Sequence, residues 1–421
     1  MKTKSLRTAV AVLLPLAFLC LCLMVSAQEA TLTGDEAAQF PQEWSGAIER
    51  VPDADRALVI QALTLAGANA KILTNALLQC PDEWLPGAIF LVENMPAEDL
   101  TVVSEEMFLD NLRYAYEVRA TFPWAATVSE SDFLHYVLPM RVSQEPLENW
   151  RGYFLEQLRP RVQSLTTLSQ AAIEANRWCG EHVGYKPTQR RDQGPFETLA
   201  SGYGRCEEMM IVYIDACRAI GVPARQAWTP YWGFCDDNHA WTEVMSEDGK
   251  WHYAGACEPS DTLDNAWFNG PARRANLVMS VPFGLPDPGT SNIYRVQDTP
   301  GARYAILNSI GFYRPSTDLA IQVVDISGNP LPEINVYLSV FNYGALRPIA
   351  RGVTDENGLW KILAGPGGYF ISAGDQLSGA CMPFQVLPGD PTQVTLRIGL
   401  GAELPPETFW LRFPYPEEEA Q

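Results

Sequence analysis

A glycine-rich turn, Gly202-Tyr203-Gly204-Arg205, runs into Cys206 and an apolar-periodic segment, and His239 opens the β-type run "HAWTEVM" further along. A thiol and an imidazole are the two groups needed for nucleophilic attack on a carbonyl, sulfur bonding to carbon while the ring takes and returns the proton. A thiol in the first turn of a helix sits near the positive end of the helix dipole, which favours the thiolate. Gly202 and Gly204 let a second chain pass close to the sulfur. Glu207 and Glu208 oppose the thiolate unless they cap or pair elsewhere. The competing reading makes Cys206 the first member of a buried stripe, with Met209, Met210, Tyr213, Ile214, Cys217 and Ile220 at helical spacing, and nothing more than a small hydrophobe. A lone histidine on a strand is, by the same measure, more often packed than catalytic.

The elements that must position this pair lie between about 165 and 285. A helical segment around "LSQAAIEANRWCGEHVGY" precedes the polar loop "KPTQRRDQGPFETLASGYG" and the helix at Cys206, which Gly221 and Pro223 stop. The β-type runs "VPARQAWTPYW", "HAWTEVM" and "WHYAGAC" follow, the last two joined by "SEDGK", where Asp-Gly signals a hairpin. Residues 28–160 read as mostly helical, with Leu58, Ile60, Leu63, Leu65, Ile72 and Leu77 at roughly helical spacing. From 316 to 400 short strands recur at regular intervals, separated by Ser-Gly-Asn-Pro and Glu-Asn-Gly turns, the pattern of a small β-sandwich with no catalytic cluster of its own.

The series "GRCEE", "GVPAR", "HAWTEV", "KWHYAGACEP" resembles the transglutaminase-like superfamily, which includes the peptide N-glycanases and many exported bacterial members. The resemblance implies an α+β fold for 161–290 with a papain-like Cys/His core, Cys206 as nucleophile and His239 as general base, resolving a thioester with water or an amine. It further implies a third residue, an acid four positions after the Trp that opens the next strand. Counted from Trp251 that position is Gly255. Glu258 is the substitute at hand: a two-residue turn at Asp248-Gly249 places it directly opposite His239 on the shared face, whereas a longer turn brings Pro259 there. Arg205, Tyr203, Trp228 and Trp241 are the candidates to line a substrate groove. The C-terminal segment "VVDISGNPL…VTDENGLW" resembles the carboxypeptidase-regulatory-like, prealbumin-like sandwiches, and a binding or spacer role is expected of it.

The N-terminus places Lys2, Lys4 and Arg7 before a long apolar run and Val25-Ser26-Ala27, which reads as a secretory signal over 1–27, or as an uncleaved membrane anchor. The chain is therefore expected to be exported. A formal charge of −20 argues against nucleic acid as a partner. Protein, peptide or glycopeptide is the expected substrate class, and no cofactor is implied. Cys206, Cys235, His239 and Cys257 are all metal-ligand types, but without CxxC or HxxxH spacing no metal is expected. Cys235 and Cys257 are instead candidates for a disulfide beside the site. An enzyme thus competes with a core that has lost its chemistry and serves as a peptide- or glycan-binding module; between reactions, hydrolysis is favoured over crosslinking and deglycosylation.

Overall fold

Helical propensity dominates the first part of the chain, and the computed structural model, which describes residues 40–399 apart from 189–190, 375–377 and 390, folds it as short helices around one core. The expected export segment lies outside the described residues. The periodic run after Asp55 is two helices, α1 (Arg56–Ala66) and α2 (Ala70–Gln79), broken at Gly67, where φ is +56°. Asn69 at the break donates to the carbonyls of Leu100 and Val103 at 2.8 and 2.9 Å, which ties the bend to the next loop. Leu63 and Leu77 are fully buried as their spacing requires, whereas Leu65 is exposed. Two longer helices, α3 (Glu105–Thr121) and α4 (Arg151–Val162), bring this region against the centre of the molecule.

Helix α5 (Leu168–His182) and helix α6 (Cys206–Ala219) follow. The stripe expected on α6 is wider in fact: every residue from Glu208 to Ala219 is buried, because α4 and α5 cover one side and a sheet covers the other. That sheet is antiparallel and six-stranded. It is built from β1 (Ala224–Thr229), β2 (His239–Met245), β3 (Trp251–Ala254), β4 (Met279–Ser280), β5 (Ile293–Thr299) and β6 (Ala302–Asn308), in the order β3-β2-β1-β4-β6-β5. It runs past residue 290, where the central region was expected to end.

The hairpin between β2 and β3 forms with a three-residue turn, Glu247-Asp248-Gly249, closed by Ser246 N–H to Lys250 O at 3.0 Å. Met245 faces Trp251 and Thr242 faces Ala254, a register that, carried on, would set Cys257 opposite His239, neither Glu258 nor the Pro259 expected of a longer turn. The ladder also stops at Ala254, and the chain turns back on itself there, Glu258 N–H reaching Gly255 O at 3.2 Å. Asp248 causes the longer turn: its Oδ1 accepts the Ser246 hydroxyl at 2.7 Å and the Lys250 N–H at 2.9 Å, an arrangement that a two-residue loop has no room for.

The C-terminal strands form two sheets, as expected. β7 (Thr317–Val324) lies between β10 (Leu359–Ala364) and β13 (Thr392–Arg397); β8 (Asn335–Asn342) lies between β9 (Ala345–Val353) and β11 (Gly367–Gly374), with β12 (Gly379–Val386) outside β11. Their core takes in Leu277 and Met279 from the central region, with Trp228 and Tyr231 packed against it. The sandwich thus shares a core with the central sheet.

Behind the strand that begins at His239 runs a buried polar chain. Arg225 Nε donates to Glu243 Oε2 at 2.6 Å, the Tyr313 hydroxyl donates to Glu243 Oε1 at 2.6 Å, and Trp241 Nε1 donates to the Tyr313 oxygen at 2.8 Å. Arg225 and Glu243 have almost no contact with water. Removing one member of such a pair leaves the other charged and unpaired in the core. Glu243→Ala is therefore expected to lower the unfolding free energy by about 3–5 kcal/mol, read as a shift in the urea midpoint, whereas an exposed ion pair of the Arg161–Glu181 kind is worth less than about 1 kcal/mol.

Candidate functional site

The direction of Cys206 is fixed by its neighbour Glu208, which is wholly buried. The Glu208 carboxylate accepts the backbone N–H of Arg205 at 2.7 Å, the Thr188 hydroxyl at 2.7 Å and the Gln193 N–H at 3.2 Å, drawing the polar loop and the turn together at the head of α6. A side chain at Gly204 would place its Cβ 2.8 Å from the Glu208 Cβ, so the turn needs glycine there. Arg205 precedes the helix and is itself engaged, donating to Asp192 at 2.8 Å and to Glu208 at 3.3 Å. Of the two acids after the cysteine, then, Glu208 pairs away from the sulfur. Glu207 does not: its carboxylate accepts the Cys206 S–H at 3.2 Å.

The sulfur shares a cavity with His239 and Ala240, which places it against the start of β2. Burial, reinforced by the Glu207 charge, pushes the Cys206 thiol up to about 12, and these outweigh the Ala240 N–H and the helix start. Of the two opposing effects read from the sequence, the acid beside the thiol prevails over the helix start. His239 moves in the complementary sense. Its ring lies among Trp267 at 4.9 Å, Phe268 at 4.8 Å and Trp241 at 5.7 Å between centroids, and burial in that aromatic surround lowers its pKa to about 4. The resting pair is a neutral thiol and a neutral imidazole.

Cys206, His239 and Glu258 line one cavity of about 580 Å³, with Tyr185, Arg205, Glu207, Met209, Asp237, Asn238 and Trp267. Glu258 arrives by the turn after β3 and not by the ladder. Its Oε2 accepts the Trp267 indole N–H at 2.9 Å and lies 2.6 Å from where a Cβ on Gly255 would stand, so the carboxylate of Glu258 occupies space that a side chain at 255 would need. His239 Nε2 is buried and has no hydrogen-bond partner among the described residues. A second cavity, about 680 Å³, continues on the other side of Glu207, Asn238, His239 and Ala240. It is walled by Met210, Trp228, Val142, Phe283 and Ile306, between the helical region and the sheet.

Of the residues expected to meet substrate, Arg205 lines the first cavity and Trp228 the second. Tyr203 lines neither; it is exposed beneath the Lys186 ammonium, 4.1 Å from its ring centre. Trp241 is a correction: it is fully buried under His239, because residue 241 follows the ring down the core face of β2, and it backs the imidazole without reaching a ligand. Trp267, Tyr185 and Asn238 were not legible as site residues. Trp267 lies in an irregular segment, where no periodicity marks which way a side chain faces. No disulfide joins the described cysteines. Cys257, expected beside Cys235, donates to Met209 O at 3.4 Å and abuts Cys179 in the core. Among the described residues no three His, Cys, Asp or Glu side chains gather as a metal site would require.

Residues 156–256 match the model of the transglutaminase-like superfamily. No curated protein matches the chain. Among solved structures, a candidate cysteine protease from Cytophaga hutchinsonii is 14% identical, over 45% of this chain and 68% of that one, at a TM-score of 0.25. The Bacillus anthracis TIE protein is 13% identical, over 42% of this chain and 30% of that one, at 0.17; a streptococcal ancillary pilin is 10% identical, over 42% and 61%, at 0.18. At these scores the likenesses say nothing of what this chain acts on. The family match falls on the segment that carries Cys206, α6, His239 and β2 in that order, and residues 156–256 of this chain form a transglutaminase-like domain.

Proposed function

We propose that the protein is an exported thiol-dependent acyl-transfer enzyme that hydrolyses amide bonds of a protein, peptide or glycopeptide through a thioester on Cys206. The observation that carries the reading is that Cys206, His239 and Glu258 line one cavity, with a second cavity walled in part by the same Glu207, Asn238, His239 and Ala240. The sulfur adds to the amide carbonyl as His239 takes the thiol proton. The same proton passes to the departing amine, leaving an acyl thioester, and water, deprotonated by His239, releases the acid and restores the thiol. Because the pair rests neutral, His239 acts as a general base at the moment of attack and not as the cation of a preformed ion pair. The site opens to solvent past Trp267, Asp237 and Asn238, all exposed, which favours water over an amine as acceptor. Glu258, in the same cavity, is the group we assign to orient the imidazole, by turning from Trp267 to the unpartnered Nε2.

That unpartnered nitrogen and the Glu207-bound thiol equally suit a catalytically inactive core that serves as a peptide- or glycan-binding module. A small activated ester separates the two readings without knowledge of the natural substrate. With p-nitrophenyl acetate, a p-nitrophenolate burst and acetylation of Cys206 in the acid-quenched protein are expected, both falling roughly 10²- to 10⁴-fold in His239→Ala. Equal acylation of the wild type and His239→Ala leaves the binding module. The acylation rate should also hold constant down to about pH 5 and fall only as His239 is protonated near its depressed pKa of about 4. An unburied imidazole would lose activity already between about pH 6 and 7.

Glu207 has a separate signature. Removing its charge withdraws one of the two causes that keep the thiol protonated, so Glu207→Gln is expected to speed iodoacetamide labelling of Cys206 at pH 8 by about tenfold for each pKa unit recovered. Unchanged labelling means that burial alone holds the proton.

A further inference from the structure

The loop 230–238 delivers His239 to the site, and its backbone is held both within the loop and from outside it. Its internal hydrogen bonds include Trp232 N–H to Asp237 O at 3.0 Å and Asp237 N–H to Cys235 O at 3.1 Å. The carbonyls of Trp232, Cys235 and Asp237 also converge on one amide of the C-terminal sandwich. Asn342, at the tip of the β8–β9 hairpin, directs Nδ2 at all three, at 3.0, 2.7 and 3.1 Å. The residue is fully buried. Its two N–H groups are shared among three acceptors, and its Oδ1 is buried with no partner among the described residues. An amide is kept in such a place for its donors.

The next residue continues the contact. Tyr343, at φ +49°, gives its backbone N–H to Asp236 Oδ1 at 2.6 Å and its hydroxyl to Asp237 Oδ1 at 3.4 Å. From the opposite side Asn276 backs the loop: its Oδ1 lies 2.2 Å from where a Cβ on Gly233 would be, so the backbone there runs directly against it. Asn276 is itself bound to the sandwich, its Nδ2 donating to Gly368 O at 3.2 Å and its carbonyl accepting Gly365 N–H at 2.9 Å and the Tyr369 hydroxyl at 3.0 Å.

We infer that the C-terminal sandwich is a positioning element of the site, with Asn342 as the residue that holds the loop 232–237 and thereby sets the place of His239 against Cys206. The catalytic part of this inference rests on the proposed thioester chemistry; the mechanical part does not. A sandwich acting only as a substrate-binding appendage would have no reason to bury an amide on three carbonyls of the histidine's loop. Asn342 touches neither substrate nor sulfur and acts through His239 alone.

Two readouts test it in the full chain: hydrogen exchange of peptides spanning 232–240, and the pH profile of Cys206 acylation by p-nitrophenyl acetate. Asn342→Ala is expected to raise exchange in that segment and to lower the acylation rate by roughly 10- to 100-fold, as a displacement of about 1 Å does. The acid limb should move up towards that of an ordinary imidazole as water reaches His239. Asp236→Ala, at an exposed position, should produce the same changes in smaller measure and keeps the test alive if Asn342→Ala fails to fold. Ile321→Ala, in the sandwich core but away from the hairpin tip, controls for lost stability and should leave the pH limb in place. Unchanged exchange in both loop variants overturns the clamp. Raised exchange with an unmoved rate and limb overturns its role in positioning. Raised exchange in a wild-type background that shows no His239-dependent acylation refutes the thioester reading and leaves the clamp standing.

Discussion

A carboxylate without access to water decides where Cys206 points. Glu208 satisfies the backbone N–H at the head of α6 and gathers Thr188 and Gln193 from the preceding loop, and its bulk leaves room only for glycine at 204. An exposed acid at a helix start contributes a few tenths of a kcal/mol through the dipole, up to about 1. A buried one has a larger effect on specificity, because each hydrogen bond it accepts is one that the burial would otherwise forfeit. The turn cannot slide along the chain without orphaning that charge. The sulfur is therefore delivered to one place, the cavity it shares with His239 and Ala240, before any substrate arrives.

Burial then sets the protonation of the pair, and both groups move away from charge. Desolvation penalises the thiolate and the imidazolium alike, so the imidazole sunk among Trp241, Trp267 and Phe268 and the buried thiol both rest neutral, and Glu207 adds to the penalty on the sulfur side. The helix dipole, worth at most about 2 kcal/mol in favourable geometry, is too weak to reverse this. A thiol held in this way is inert toward passing electrophiles and becomes a nucleophile only when a carbonyl is in reach and the imidazole can take the proton in the same step. For a protein proposed to work outside the cell, where a free thiolate oxidises readily, that is a consistent arrangement.

Much of the site was legible because local rules and tertiary structure agree there. The glycines before Cys206, the helix stop at Gly221-Val222-Pro223 and the β-run opening at His239 each follow from short-range chemistry, and each lies where the spacing predicts. Glu258 reaches the cavity, yet for a reason that pairing arithmetic misses: Asp248 lengthens the turn, the ladder ends at Ala254, and the chain folds back. Trp241, two residues from His239 on the same strand, shares its side of the strand but not its depth, and alternation along a strand gives no sign of that difference. The fate of Glu207 and Glu208 was open in sequence because only the three-dimensional surroundings say which acid finds other donors. Asn342 had no local signal at all. An asparagine at a hairpin tip is what turn chemistry asks for anyway, and its contacts lie more than a hundred residues away in the chain.

That last point bears on how the molecule is divided. Sequence pattern separates helices, central core and sandwich cleanly, because each has its own periodicity, but periodicity is blind to a shared core. Leu277 and Met279 pack with the sandwich, Asn308 donates to Leu363 O at 2.7 Å, and Asn276 lies against both the sandwich and the loop before His239. The sheet that carries the histidine is thus backed by the sandwich much as the helix that carries the cysteine is backed by α4 and α5. Cys206 lies on a helix packed against the helical region, and His239 on a strand of the sheet whose core runs on into the sandwich.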